Sequence, residues 1–337
     1  MPQDGSRRKE RKLVRVVRQQ QRMLKRARYP LRRSRYANHV YNDRQHLILL
    51  VLRQHFRMPY RQFCETMEVC TVLTGEIGLS RVPHFTTLQK FSARTMVRGL
   101  ERLLLAFLDE AGVRSLCIAV DSTGYSSTCA SDYYTRIVER QGAGPGPPSK
   151  NRHIRRHVKE TLAVETRKQL LLAVKFRLGP ANDSPDFVRV LAKVRRAGRH
   201  VVLVVGDKGY DSEGNHEYVR EVLGGRSVIP VRRGDDPRLR VRGRYRREQW
   251  KHFDSIAYRQ RVKAETVNSV QKRTMGSHVL SRRIGQQHRE LLFRALAYNM
   301  RRVESLSLLL VGGFLQSLSV VTRARGARET QRLRQLT

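Results

Sequence analysis

Two short apolar runs in the middle of the 337-residue chain each lead to an aspartate. Residues 116–120 directly precede Asp121, and residues 201–205 precede Gly206 and Asp207. Short apolar runs bounded by polar or turn residues are typical of buried strands. A carboxylate that directly follows such a strand is firmly held and remains accessible at the edge of a sheet. We therefore expect Asp121 and Asp207 to lie at strand ends.

The remaining apolar patterns predict how these strands are connected. Their order is strand, hairpin, helix, strand, helix, strand, charged loop and helix. The corresponding residues are 116–120, 161–165 with 170–178, 185–197, 201–205, 217–223, 227–231, 232–245 and a last helix that opens at Tyr258. Strands that alternate with helices in this way predict a mixed sheet flanked by helices, which is the α/β class.

The helix predicted from Tyr258 carries four side chains that share a narrow stripe. Arg261, Glu265 and Lys272 follow Tyr258 at spacings of three, seven and fourteen residues. At about 100° per residue, all four lie within about 60° of one another around a helix. One carboxylate, two cations and a phenol on one face suit an anionic ligand with a metal ion beside it.

Three carboxylates are then candidates for a metal site. Glu265 can reach Asp121 and Asp207 from a helix packed across the sheet. Hard oxygen ligands suit Mg²⁺ or Mn²⁺, and two such ions about 3.5–4 Å apart can clamp both oxygens of an in-line phosphoryl displacement. A single aspartate after a strand is more often a turn or cap residue, so the prediction depends on all three together.

The charge of the chain indicates a polyanionic partner. Its formal net charge is +39 and its isoelectric point is near 11.4. Self-repulsion of this size in a compact protein is offset most readily by nucleic acid. A membrane surface is the competing partner, but the longest apolar stretch, residues 306–321, is shorter than the roughly 18–20 residues of a spanning helix. We read that stretch as a buried C-terminal helix and, since the N-terminus has no apolar signal segment, expect a cytoplasmic protein.

The N-terminal part divides into two predicted regions. Residues 1–39 form a basic arm that is expected to be mobile or loosely helical when free and to gain affinity by neutralising phosphates. Residues 40–112 predict short helices, and this region offers Thr86, Thr87, Gln89 and Lys90 as surface residues. A helix-turn-helix-like DNA reader fits this pattern, and so does a plain helical bundle that supports the next domain.

Several motifs together resemble a known family of enzymes. Residues 204–211 and the Tyr258–Arg261–Glu265–Lys272 spacing are similar to those of the DDE transposases of bacterial and archaeal insertion sequences, in the branch with a Y-R-E-K motif. Residues 116–124 resemble the first acidic block of that family, and residues 179–184 resemble its segment between the two aspartates. The resemblance spans about residues 40–305, and residues 126–159 contain no motif that we can assign.

The resemblance implies an RNase H-like catalytic domain over residues 113–305, followed by a C-terminal helix and basic tail over residues 306–337. It also implies the catalytic and metal-binding triad Asp121, Asp207 and Glu265, with two Mg²⁺ or Mn²⁺ ions. The implied reaction is nicking at the terminal inverted repeats, followed by attack of the freed 3′-hydroxyl on target DNA. A homodimer that brings two ends together is expected by analogy.

Four further residues are predicted to contact DNA, each with an alternative. Arg261 and Lys272 are expected to hold phosphates, although an Arg261–Glu265 ion pair is also compatible with the spacing. Tyr258 can stack on a base or pack against the sheet, and Lys208 can meet a phosphate or remain an ordinary surface lysine. A structure-selective nuclease with the same core, or a non-catalytic basic DNA-binding protein, remain the alternative functions.

Overall fold

The computed structural model describes residues 11–32, 36, 40–127, 157–179, 181–232 and 240–307. The first part is helical. Its helices are α1 Lys12–Arg26, α2 Asp43–Phe56, α3 Tyr60–Val69, α4 Thr71–Ile77, α5 Phe85–Arg94 and α6 Val97–Glu110. Helix α2 begins at a capping box, in which the side chains of Asn42 and Gln45 each accept from the backbone N–H of the other. No helix in the described part of the chain is both long and apolar enough to cross a bilayer.

Helix α1 corrects one expectation about the basic arm. Residues 12–26 are neither mobile nor loosely helical in this structure, because Val17 and Leu24 are completely buried and α1 packs against α2, α4 and α6. The Arg15 guanidinium also lies 2.9 Å from the Glu304 carboxylate, which is 4 % exposed. Apolar residues recur at helical spacing among the many basic residues of α1, and the apolar face that they form packs against the core.

The sheet follows the helical region. Its strands are β1 Ser115–Ser127, β2 His157–Glu165, β3 Leu170–Gly179, β4 His200–Gly206, β5 Arg226–Val228 and β6 His278–Val279. The order across the main sheet is β3-β2-β1-β4-β5, with β6 pairing with the distal end of β1. Strands β1, β2 and β3 are antiparallel, whereas β4 and β6 run parallel to β1, and β5 runs parallel to β4.

The remaining helices cover the sheet and complete the chain. They are α7 Ser184–Arg195, α8 Glu213–Glu217, α9 Arg244–Lys251, α10 Ser255–Tyr258, α11 Val262–Met275 and α12, residues 284–307. Helix α7 packs on β2 and β3, and α11 packs on β1, β2 and α2. Short 3₁₀ turns occupy Lys208–Tyr210 and Arg259–Arg261, and a π-helical turn occupies Tyr218–Val222.

These elements confirm the predicted fold class, a mixed α/β sheet flanked by helices and preceded by a helical region. Three local expectations were wrong. Strand β1 does not end at Asp121 but continues to Ser127, the helix from Tyr258 is interrupted by a 3₁₀ turn, and α12 follows it. The C-terminal helix predicted beyond residue 307, and most of the unassigned segment 126–159, lie outside the described residues. The division into domains stays a prediction.

Candidate active site

The two predicted aspartates start from adjacent parallel strands. Val120 of β1 is paired with Gly206 of β4, so that Asp121 and Asp207 directly follow partners in the sheet. Asp121 is still in β1, where it pairs with Leu162 of β2, whereas Asp207 leaves β4 and is exposed. The register therefore brings both carboxylates to one point of the sheet, although only Asp207 lies at a strand end.

Helix α11 closes the site over Asp121. The Asn268 side-chain amide donates a hydrogen bond of 2.8 Å to Oδ2 of Asp121. Burial raises the pKa of Asp121, and the charge of Glu265, one helical turn before Asn268, raises it further. Hydrogen bonds from the Ser122 backbone and Asn268, and the charge of Arg261, lower the pKa only in part. Asp121 and Glu265 thus share one electrostatic environment.

Arg261 is bound to the third carboxylate. Its Nη1 lies 2.6 Å from Oε1 of Glu265, and the two side chains are 22 % and 47 % exposed. This contact is the ion pair that the i,i+4 spacing permits. It holds Glu265 in place, and it leaves one face of the guanidinium toward the ring of Tyr258, 5.7 Å from its centroid.

Tyr258 links this ion pair to Asp207. Its hydroxyl donates a long hydrogen bond of 3.5 Å to Oδ1 of Asp207, and its ring packs edge-on against Phe253 at 5.3 Å. Burial raises the pKa of Tyr258, so the phenol remains a proton donor at neutral pH. The tyrosine therefore packs against Phe253 and donates to Asp207 at once, whereas stacking on a base stays a prediction.

Lys272 and Lys208 lie apart from this group. Lys272 is two turns beyond Glu265 on α11, and its ammonium is 5.4 Å from the centroid of the Tyr125 ring. Lys208 is exposed in the 3₁₀ turn that follows Asp207. The structure brings together Asp121, Asp207, Glu265, Arg261 and Tyr258, and it places the two lysines at the margins.

The donor set fits a divalent metal. In the described part of the chain no three His, Cys, Asp or Glu side chains are close enough together to enclose an ion. Carboxylate oxygens are nevertheless the ligands that hard divalent cations prefer, and a cation beside Asp121 would offset the burial and the Glu265 charge that raise its pKa. Asn268 adds a buried Oδ1 that has no hydrogen-bond partner among the described residues.

Two acidic residues near the site have other partners. Asp183 precedes α7 but makes no side-chain cap there; it accepts from Ser122 Oγ at 2.6 Å and pairs with Lys159 Nζ at 2.5 Å. Asp211 is paired with Arg246 through contacts of 2.9 and 2.7 Å. Both carboxylates are therefore engaged outside the group around Asp121.

The sequence analysis missed Asn268, although its spacing held the necessary signal. Asn268 lies three residues after Glu265 and seven after Arg261, on the same stripe of α11. A polar amide on a helix face that packs against a strand needs a partner, and the carboxylate of Asp121 satisfies it.

A second buried carboxylate lies behind the site. Glu160 of β2 is 1 % exposed, and neither of its oxygens accepts a hydrogen bond of good geometry within the described residues. Burial raises its pKa from 4.5 to about 7, and the Tyr125 hydroxyl, Arg294 and Lys272 offset this effect only in part.

Glu160 should make the stability of the protein depend on pH. A carboxyl group with a raised pKa in the folded state stabilises the fold below pH 4.5, and this contribution is lost as the pH rises to about 7. Urea unfolding of the Glu160→Gln variant should therefore show a gain relative to the wild type at pH 8 that disappears at pH 4.5. An equal difference at both pH values would contradict the raised pKa.

The family described as Transposase DDE domain matches residues 114–300. Three transposase structures are similar. The piggyBac synaptic complex with hairpin DNA is 11% identical, with 88% of this chain and 74% of that chain covered and a TM-score of 0.44. The Drosophila P element strand transfer complex is 13% identical (63% of this chain and 47% of that chain covered, TM-score 0.29), and a pre-cleavage Mos1 transpososome is 8% identical (81% of each chain covered, TM-score 0.22). No curated protein matches the sequence. Because the family match covers more than half of the chain, including Asp121, Asp207 and Glu265, this protein belongs to the DDE transposase domain family.

Proposed function

We propose that this protein is a transposase that cleaves DNA strands at the ends of an insertion sequence and transfers them into target DNA. The observation that carries the proposal is the meeting of Asp121 and Asp207, on adjacent strands, with Glu265 on the helix packed over them. Carboxylates on three rigid elements are the arrangement that a two-metal phosphoryl transfer requires.

Asp121, Asp207 and Glu265 would hold the divalent ions, Mg²⁺ or Mn²⁺. The ions, when bound, supply activation of water or of a 3′-hydroxyl and neutralisation of the charge on the scissile phosphate. Asn268 fixes the orientation of Asp121 by its hydrogen bond, which limits the cost of reorganisation when the ligand is used. Tyr258 restrains Asp207 in the same way, although more weakly.

The cations have different roles in this proposal. Arg261 stays beside Glu265 and presents its remaining N–H groups to a DNA phosphate, which an arginine can bind bidentately. Lys272 and Lys208, at the two margins of the site, hold phosphates further along the strand as point charges. The helical region 40–112 would bind DNA, residues 113–305 would carry out catalysis, and the net charge of +39 would favour both.

The proposed partners are the terminal inverted repeats and a target duplex, bound by a homodimer in the cytoplasm. The test uses the full chain and DNA duplexes that carry the inverted repeats flanking its gene. Cleavage and strand joining are measured in Mg²⁺, in Mn²⁺ and in EDTA. We expect nicks with 3′-hydroxyl ends at the repeats and joining of these ends to a second duplex, both only with metal. Scrambled repeats are the matched control.

Two outcomes favour the alternatives. Cleavage of branched duplexes without dependence on the repeats, and without joined products, indicates a structure-selective nuclease. Binding to the repeats with no cleavage in either metal indicates a non-catalytic DNA-binding protein. The intact set of three carboxylates speaks against the second alternative, since a binding protein has no need to keep Asp121 desolvated beside Glu265.

A further inference from the structure

A cleft of about 750 Å³ separates the helical region from the segment that follows α11. One wall contains Tyr60 of α3 with Gln89 and Lys90 of α5. The opposite wall contains Arg282 and Arg283 with Gln286 in the first turn of α12. We call this feature the interdomain cleft. It is distinct from the carboxylate site, since none of the described residues lining it is acidic.

The charge of the interdomain cleft is uniformly positive. Arg53, Lys90, Arg282 and Arg283 line it, and the last three are exposed. A concave surface with several cations and no carboxylate among its described lining residues focuses a positive potential and attracts polyanions. Self-repulsion among these groups is offset when phosphates enter.

Arg53 is the buried element of this cleft. It is 3 % exposed, and its guanidinium lies 4.0 Å from the centroid of the Tyr60 ring. Its Nη1 donates to the Met58 carbonyl at 2.9 Å, but its Nε has no hydrogen-bond partner among the described residues. The nearby carboxylate of Glu290 is already bound to Arg294 at 2.6 Å. A buried N–H donor of a cation without an acceptor is costly unless a ligand supplies one.

The start of α12 adds a second source of positive potential. This helix begins at residue 284 and continues to residue 307, so its first turn, with Gln286, faces the cleft. The N–H of Gln286 is bonded to the Arg283 carbonyl, so the contribution of this end of the helix is the positive end of the helix dipole. The amides of Gln89 and Gln286 can in addition accept and donate at base edges.

We propose that the interdomain cleft binds the phosphodiester backbone of the DNA duplex whose scissile phosphate lies at the carboxylate site. This inference rests on the proposed function and adds a location and a distance to it. Strand β6, which leads into the cleft wall, pairs with Ser126 and Ser127 of β1, five residues beyond Asp121. Five residues of strand span about 17 Å. For a duplex that lies along β1, this length corresponds to about five base pairs at about 3.4 Å each, so the cleft contacts phosphates at that distance from the cleavage site.

The test is a triple variant, Lys90→Ala, Arg282→Ala and Arg283→Ala, compared with Arg114→Ala, Arg195→Ala and Lys251→Ala. The second set removes the same charge from exposed positions outside the cleft. Binding to a fluorescent duplex with the terminal repeat is measured by anisotropy from about 50 to 200 mM salt. Loss of three phosphate contacts should reduce the slope of log K against log salt by about 2.7, that is, about 0.9 per contact. In the cleft variant, ethylation of the phosphates about five base pairs from the nick should no longer interfere with binding.

The results separate this inference from the proposed function. Suppose that the wild-type protein cleaves the repeats but the cleft variant and the control variant lose affinity equally. DNA binding by the cleft is then overturned, and the proposed transposase activity stands. A phosphate-ethylation interference pattern that is unchanged in the cleft variant also overturns the proposal that the cleft binds DNA. If the wild type binds but never cleaves, while the cleft variant loses the expected slope, the cleft stands and the catalytic proposal fails. Equal competition by RNA duplexes at the cleft would overturn DNA as its partner.

Discussion

The Asp207→Asn variant should lose metal-dependent strand cleavage by about 1,000-fold or more, the scale on which the loss of one group that stabilises transition-state charge is felt. Asparagine keeps the size of the side chain but removes the negative charge that a divalent ion requires of its ligand. Asp207 is exposed, and the long hydrogen bond from Tyr258 is the one that its carboxylate accepts among the described residues, so folding should be unaffected. The Asp121→Asn variant should show the same loss.

The measurement is nicking of a duplex with the terminal repeat, followed on a denaturing gel, with affinity measured on the same protein by anisotropy. We expect affinity in the absence of metal to stay within about twofold of the wild type, because the phosphate contacts are made by other residues. Asp109→Asn is the matched control, since Asp109 is 66% exposed and lies in α6, outside the site. Cleavage at the wild-type rate by the Asp207→Asn variant would remove Asp207 from the proposed set of ligands.

The Arg294→Met variant should lose about 3–5 kcal/mol of unfolding free energy, because it leaves a buried carboxylate without its counter-charge. Glu290 and Arg294 are 2 % and 5 % exposed in their side chains and 2.6 Å apart. Arg294 also donates to the carbonyls of Gly276 and His278 and to the Gln54 side chain of α2. Glu290 accepts from the backbone N–H groups of Leu280 and Ser281.

This network has a pH dependence opposite to that of Glu160. Burial by itself raises the pKa of Glu290, but the Arg294 charge and the hydrogen bonds from Ser281 and Leu280 lower it overall. A lowered pKa stabilises the fold above the unfolded value of about 4.5, and the contribution is lost as the pH falls through the folded pKa. The cost of Arg294→Met should therefore be full at pH 7 and smaller at pH 4.

Urea unfolding of a double-mutant cycle measures the network directly. The Glu290→Gln and Arg294→Met double variant should recover part of the stability lost in Arg294→Met, since no uncompensated charge remains. Arg301→Met, a half-buried arginine of the same helix, is the matched control and should cost far less. A double variant as unstable as the sum of the two single variants would show that the two side chains are not coupled.

Much of the fold could be predicted from the sequence because its strands are strongly apolar. The hairpin of β2 and β3 and the strand β4 were expected close to where they lie, and Glu265 was expected opposite the aspartates. Strand β1 was predicted too short, since Ser122, Thr123 and Ser126 are polar and give no apolar pattern. Their backbone groups are nevertheless paired with β2 and β6, which no local pattern reveals.

The side-chain partners within the site were less predictable. A helical wheel placed Lys272 on the same stripe as Glu265. It does not show whether the ammonium faces the carboxylate of Glu265 or that of Glu160, and in the structure the lysine lies toward Tyr125 and Glu160. The 3₁₀ turn at Arg259–Arg261 directly follows Tyr258, whose hydroxyl donates to Asp207, and the periodicity of the sequence does not indicate it. These contacts join residues that are far apart along the chain, 51 positions for Tyr258 and Asp207 and more than a hundred for Lys272 and Tyr125.

Which side chain of β1 faces α11 at the candidate site depends on the number of residues between the register shift of the strand and that position. Strand β1 changes its register with β4 between Leu116 and Cys117, and from there its residues alternate between the two faces of the sheet. Asp121 consequently faces Asn268, and its neighbour Ser122 turns to Asp183 on the other side. Deleting one residue between Cys117 and Val120 would exchange the two, giving α11 a hydroxyl in place of the carboxylate. A change in the length of this stretch by one residue would therefore remove the carboxylate from α11 even if all its side chains stayed apolar.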